Sequence, residues 1–281
     1  MFSTLVGNTP LIELPSGILA KLETYNPTGS VKDRLISYIF RKALKRGEIK
    51  KGTTLVEATS GNTGISLSSI GSFHGFKVKI IMPSNMSEER KEMMKFFGAE
   101  IIEVDPYDFK GAIKLREKMV NEGCWSPRQF ENLENIQCHY ETTAQEIHHE
   151  LIDNGFEWSA FVSGAGTGGT MMGVNKYIKS FNLKTKSILM IPLEKDHGIQ
   201  GVGDGDDYLL EKDSMDQIYK IKTEDAKSKC KFLSRNLGIP IGISAAANVL
   251  AAENYLRDFK PSGKVVTMLC DRGERYLSNI S

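Results

Sequence analysis

Along "SVKDRLISYIFRKALKRGEI" the apolar residues Val31, Leu35, Ile39 and Leu44 recur at the spacing of one helix face. Strand-like and helix-like stretches then alternate to the end of the chain. "TTLVEATS" is a short β-rich run, "NTGISLSSIGSFHG" a helix stopping at Gly75, and "KVKIIMP" a buried strand. "SEERKEMMKFFGA" reads as a helix with a Ser87 cap and a Gly98 stop, followed by the strand "EIIEVD" and the helix "FKGAIKLREKMVNEG". "NIQCHYETTAQEIHHELIDNG" reads as one further helix. The strand "SAFVSGAG" then leads into the helix "TMMGVNKYIKSFN", and "SILMIP" is a strand. "TEDAKSKCKFLSRNLG" and "SAAANVLAAENYLRDF" are helices, and "KVVTMLC" is the closing strand. This βα alternation predicts an α/β fold with parallel or mostly parallel sheets covered by helices. In such sheets ligands bind beyond the carboxyl ends of the strands, so the loops that follow strands are where chemistry is expected.

Composition narrows the function classes. A chain of 281 residues suffices for one large domain or two smaller ones sharing a cleft. Net charge is +1 with lysine and arginine spread along the chain, which is no footprint for nucleic acid or an anionic membrane. No apolar run approaches the ~20 residues that span a bilayer. "MFSTLVGNTPL" lacks the basic and long apolar regions of a secretory signal, so a cytoplasmic protein is expected. Cys124, Cys138, Cys230 and Cys270 are scattered without C-x-x-C spacing, which suits reduced thiols and neither a disulfide framework nor a zinc site. His148 and His149 are adjacent on a helical pattern, about 100° apart, and cannot chelate together. No metal is expected.

Three segments carry candidate chemistry. In "NPTGSVKDR", Asn26, Pro27, Thr28 and Gly29 form a turn and Ser30 is the expected helix N-cap. Asp33 stands where a weak capping box would have its acid. Lys32 then lies in the first helical turn, where a cation opposes the helix dipole and the ammonium form is disfavoured. The second segment, Ala58 to Gly64 ("ATSGNTG"), opens a helix after a strand. It offers Thr59, Ser60, Asn62 and Thr63 side chains with free backbone N–H groups, a cradle for a carboxylate or phosphate, or an ordinary capped helix start. The third, Ser163 to Thr170 ("SGAGTGGT"), lets the backbone approach a phosphate at a helix N-terminus. It also fits G-x-G-x-x-G through Gly164, Gly166 and Gly169, with Glu194 later than the dinucleotide spacing asks, and no Walker lysine follows. A constrained lysine, a phosphate loop and a carboxylate loop together describe a site for pyridoxal 5'-phosphate and an amino acid.

"LVGNTPL", "KLETYNPTGSVKDR", "ATSGNTG", "SGAGTGGT", "GIQGVG", "GIPIGIS" and "GERYLS" resemble, in order and from Leu5 to Ser278, the cysteine synthase (O-acetylserine sulfhydrylase) family of fold-type II pyridoxal-phosphate enzymes. The resemblance implies a two-domain, tryptophan synthase β-like fold. Residues 1–35 and 141–281 would be a larger cofactor-binding domain, and 36–140 a smaller mobile domain with the substrate-carboxylate loop. It implies that Lys32 holds the cofactor and acts as catalytic base. Thr59, Ser60, Gly61, Asn62 and Thr63 would bind the substrate carboxylate with Gln129, and Asn62 would also meet the cofactor's phenolic oxygen. Gly166, Thr167, Gly168, Gly169 and Thr170 would hold the phosphate, and Ser244 the pyridine nitrogen. The implied reaction is a β-replacement through an aminoacrylate, forming L-cysteine from O-acetyl-L-serine and sulfide in a homodimer.

The chain has "GISAAA" where the family usually has "GISSGA", which places Ala245 and Ala246 beside Ser244. Asp204, Asp206 and Asp207 crowd the stretch expected near the entrance, which predicts a preference for O-acetyl-L-serine over O-phospho-L-serine. Alternatives are a β-synthase for homocysteine or an amine (cystathionine β-synthase-like), a serine or threonine deaminase, a nicotinamide-dependent oxidoreductase, and a non-catalytic regulatory binder.

Overall fold

A computed structural model describes residues 4–203 and 208–280, which form nine strands and ten α-helices divided between two compact units. The first unit comprises residues 26–132 with the stretch before Gly7. Its sheet has the order β3-β4-β5, built from β3 (Thr54–Ala58), β4 (Lys77–Pro83) and β5 (Glu100–Val104), all parallel. Four helices belong to it: α1 (Lys32–Arg46), α2 (Asn62–His74), α3 (Glu88–Phe96) and α4 (Phe109–Asn121). Val56, Ala58 and Ile81 pack against Ala112 of α4, with Ile102 and Val104 at the margin. α2 lies on β3 and β4, where Gly71 leaves room for the side chains of Val78 and Leu55, and it ends at Gly75 with φ +74°.

The second unit, residues 7–25 and 133–281, holds a six-stranded sheet of order β1-β2-β9-β6-β7-β8. Its strands are β1 (Leu11–Glu13), β2 (Leu19–Leu22), β6 (Trp158–Gly164), β7 (Lys186–Pro192), β8 (Gln217–Ile221) and β9 (Lys264–Leu269). β1 and β2 pair antiparallel and every other pair is parallel. The helices are α5 (Glu134–Glu141), α6 (Thr143–Asp153), α7 (Gly169–Ser180), α8 (Thr223–Leu237), α9 (Ile243–Phe259) and the short α10 (Leu277–Ile280). α9 crosses the sheet, burying Ile243, Ala247 and Ala251 against Val162, Ile188, Met190 and Val265. Such continuous apolar runs are what strands of a covered parallel sheet require. Lys21 of β2 is fully buried and ties this strand to α6 through Glu146 at 3.1 Å and Glu150 at 2.7 Å.

Two features depart from the pattern. The single helix expected after Asn135 is two, because Thr142 (φ −121°, ψ −77°) leaves the helical region between α5 and α6. The Thr142 hydroxyl donates to the Cys138 carbonyl at 2.7 Å, the kind of back-bonding that bends helices. β8 was not expected. "QIYKI" is a half-exposed edge strand with too few apolar residues to register as one.

Candidate active site

The turn before α1 immobilises the Lys32 main chain. Gly29, at φ +78°, closes it by donating to the Asn26 carbonyl at 2.7 Å, and the Lys32 N–H donates to Ser30 Oγ at 3.3 Å. Asp33 does not form the expected capping box with Ser30. Its carboxylate accepts from the Thr28 N–H at 2.7 Å and the Thr28 hydroxyl at 2.6 Å, and also from the Ser66 hydroxyl of α2. Thr28, Asp33 and Ser66 are buried, so the acid locks the turn to α2 while Lys32, beside it, stays half-exposed.

In the same unit, β3 ends in the Thr59–Gly61 loop and α2 begins at Asn62. The Thr59 hydroxyl accepts from the Gly61 N–H at 3.1 Å, and buried Arg90 donates to the Ser60 carbonyl at 3.0 Å. A Cβ on Gly61 would meet Arg90 Cδ at 2.5 Å. The N-cap residue Gly61 offers no side-chain cap to α2, and a helix N-terminus of this kind suits an anion. Gln129, 66 positions beyond Thr63, is brought here by tertiary structure: the Thr63 hydroxyl donates to Gln129 Oε1 at 2.6 Å. Gln129 Nε2 donates to the Ala58 carbonyl at 3.2 Å and its N–H to Glu57 Oε2 at 3.2 Å. Thr63→Ala removes the bond that orients Gln129. The expected result is amino-acid affinity lowered about tenfold, with cofactor content unchanged, as read by substrate titration of the cofactor-loaded protein.

Glu57 and Arg116 are both fully buried behind this loop. Arg116 reaches Glu57 at 3.3 Å, Glu131 at 2.7 Å and Glu117 at 2.5 Å. Burial pushes the Glu57 carboxyl up, and the guanidinium offsets only part of this. For Arg116, burial opposes the charge, but Glu57 and Glu131 outweigh it.

In the second unit, β6 runs into a loop of glycines and threonines at the start of α7. Gly168 has φ +89°, and a Cβ there would meet Leu210 N at 2.6 Å; a Cβ on Gly166 would overlap the Gly201 carbonyl oxygen. Thr167 Oγ1 accepts from the Gly169 N–H at 3.3 Å and from Asn135 Nδ2 at 3.0 Å. α7 has no side-chain cap. Main-chain N–H groups at a helix start plus threonine hydroxyls, with no basic side chain in the loop, suit a phosphate. The glycines are needed first by the surrounding backbone, not only by the ligand. Gly168→Val is therefore expected to strain the loop by about 1–3 kcal/mol and to abolish cofactor retention; pyridoxal phosphate content after gel filtration is the measurement.

Ser244 stands in the first turn of α9, 6% exposed, and its hydroxyl makes no hydrogen bond among the described residues. α9 is tied to the end of β6, just before the glycine-threonine loop, by Asn248 Oδ1, which accepts from the Gly164 N–H at 2.7 Å. A neutral hydroxyl left available near the loop suits a pyridine nitrogen, so the residues present fit pyridoxal phosphate. Ala245 and Ala246 point into the core with Leu22, Leu233 and Ile241, so the departure from the family's "GISSGA" is taken up in packing. The non-catalytic reading, which rested on these alanines, loses its support. Glu194, the acid required by the dinucleotide reading, accepts from the Thr223 N–H and hydroxyl at the start of α8. Cys230 is sulfur in a core, its thiol pushed up to about 11 by burial. Asp204, Asp206 and Asp207 lie outside the described residues.

Mostly parallel α/β units with anion-suited loops at helix starts are the architecture of fold-type II pyridoxal-phosphate enzymes. The chain belongs to the pyridoxal-phosphate dependent enzyme family, which it matches over residues 2–271. Among curated relatives, cysteine synthase B of Campylobacter jejuni is 40% identical, over 98% of this chain and 96% of its own. Among solved structures, cysteine synthase from Entamoeba histolytica is 37% identical with a TM-score of 0.89, over 99% of this chain and 89% of that one. An O-acetylserine dependent cystathionine β-synthase from Helicobacter pylori is 30% identical with a TM-score of 0.88, over 99% and 97%.

Two sets of residues around these loops escape a sequence reading. Glu57 leaves a faint signal, a charge inside an apolar strand. Arg116, Arg90, Asn135 and His139 leave none, because each is one polar residue among many on an amphipathic helix.

Proposed function

We propose that this protein is a pyridoxal-phosphate-dependent β-replacing enzyme that forms L-cysteine from O-acetyl-L-serine: acetate leaves Cβ and the sulfur of sulfide takes its place. The observation that carries this reading is the Thr63–Gln129 hydrogen bond, which assembles an amino-acid carboxylate site at the start of α2 in the unit that also holds Lys32. The identity to cysteine synthase B supports the same reaction.

Bound pyridoxal phosphate supplies an electrophilic carbon for the substrate amine and a conjugated ring that takes up electrons from Cα. Lys32 Nζ would hold the cofactor and, as a neutral amine, would take the proton from Cα of the substrate. Placement in the first turn of α1 lowers the cost of the neutral amine that both tasks need. The segment Thr59, Ser60, Gly61, Asn62 and Thr63, with Gln129, would orient the substrate carboxylate. Asn62 would also meet the phenolic oxygen. Gly166, Thr167, Gly168, Gly169 and Thr170 would hold the phosphate. Ser244, a neutral partner for the ring nitrogen, keeps the ring a modest electron acceptor and favours elimination at Cβ.

The reading extends to the domains, residues 1–35 and 141–281 binding the cofactor and 36–140 moving with substrate, and to a homodimer. A cytoplasmic location agrees with four free cysteines. The test is the purified protein: yellow, with bound pyridoxal phosphate, and forming L-cysteine from O-acetyl-L-serine and sulfide with a higher kcat/KM than for homocysteine. A colourless protein, or one preferring homocysteine, overturns the reading.

A further inference from the structure

α5 lies against the start of α7 with only glycine between them at two points. A Cβ on Gly169 would overlap the Asn135 side chain, and one on Gly173 would meet His139 Cβ at 2.5 Å. Both pairs are four residues apart, so one face of α5 presents Asn135 and His139 to α7. Asn135 is fully buried and His139 is 1% exposed. Asn135 Nδ2 donates to Thr167 Oγ1 at 3.0 Å. His139 Nε2 lies 3.2 Å from Thr170 Oγ1, and its Nδ1 lies 2.8 Å from Thr143 Oγ1 on α6.

A threonine hydroxyl has one proton to donate and two lone pairs to accept with. Thr167 Oγ1 already accepts from Asn135 Nδ2 and from the Gly169 N–H, so its proton is left to point elsewhere. The same logic holds for Thr170 if Thr143 donates to His139 Nδ1 and Nε2–H donates to Thr170. We propose that Asn135 and His139 are positioning residues that commit the hydroxyl protons of Thr167 and Thr170 to the phosphate of the cofactor. This rests on the function proposed above. α5 thereby sets the preference for a phosphorylated over an unphosphorylated cofactor without touching it.

The experiment compares the affinity of the full-length apoprotein for pyridoxal phosphate and for pyridoxal, which lacks the phosphate. Asn135→Ala and His139→Asn are expected to weaken pyridoxal phosphate roughly tenfold and leave pyridoxal within about twofold. His139→Gln keeps an amide N–H near the Nε2 position and is expected to recover most of the loss, whereas His139→Asn can replace only the Nδ1 contact. The phosphorus resonance of bound cofactor shifts in the affected variants. Unchanged pyridoxal phosphate affinity overturns the proposal, as does an equal loss for both ligands or a His139→Gln variant no better than His139→Asn. If Asn135→Ala fails to fold, the His139 pair decides alone. A wild-type protein that takes up no pyridoxal phosphate sinks the proposed function and this inference with it. A wild type that binds while every variant matches it sinks only the inference.

Discussion

Replacing Lys32 by alanine is expected to leave a folded protein whose turnover falls by about three orders of magnitude or more. The structure separates the two effects. The turn is held by hydrogen bonds among Asn26, Thr28, Gly29, Ser30, Asp33 and Ser66 and the Lys32 main chain, all of which alanine at position 32 retains. Lys32 is half-exposed, so its loss leaves no core cavity. A cation in the first turn of α1 is also unfavourable by about 0.3–1 kcal/mol, and its removal should leave the melting temperature equal or slightly higher. Stability without activity is the signature of a residue placed for chemistry. Borohydride reduction of the wild-type holoenzyme, followed by peptide mapping, is expected to label Lys32. A label on any other lysine refutes the assignment.

Arg116→Met should destabilise the first unit by about 3–5 kcal/mol at pH values where Glu57 is ionised, since it leaves that charge buried without its guanidinium. The pH dependence distinguishes this cause from lost packing. Burial, the dominant influence, already raises the Glu57 pKa in the folded protein, and removing Arg116 takes away an opposing one. A carboxyl with a raised folded pKa binds its proton more tightly folded than unfolded. Its stability contribution is therefore largest below the unfolded pKa and is lost as pH rises through the folded value. The deficit of Arg116→Met should be full above that folded value and shrink on acidification toward the ordinary carboxylate range. Thermal unfolding of variant and wild type across that range is the measurement. Adding Glu57→Gln should recover much of the loss, because the orphaned charge is then gone. A deficit independent of pH would assign the effect to packing instead. Because Glu57 also accepts from the Gln129 N–H, the variant is expected to bind amino acid more weakly as well.

The alternation of apolar runs, glycine stops and amphipathic stretches was enough to place six of the nine described strands and most helices. Strand and helix periods, and the positive φ of residues such as Gly75 and Gly98, are properties of a few neighbouring residues. The helix starts that carry Lys32 and the two loops were legible for the same reason: each is a contiguous segment. Ser244 and Gln129 came from resemblance to a family, since nothing local marks them. The break at Thr142 was hidden because "ETTAQE" keeps a helical pattern, and only a hydroxyl turned back onto Cys138 disrupts it. Asp33 was assigned to Ser30 by spacing, yet the folded chain offered it Thr28 and Ser66, where a buried carboxylate is better satisfied. The partners of buried polar groups lie far apart in the chain: Gln129 and Thr63 by 66 positions, Arg116 and Glu57 by 59, Asn135 and Thr167 by 32. By itself the sequence determined most of the segments that become strands and helices, and the loops at helix starts proposed to bind anions. Which polar side chains meet behind those loops was decided only by tertiary packing, because desolvation makes a buried group find a partner without specifying where along the chain it must come from.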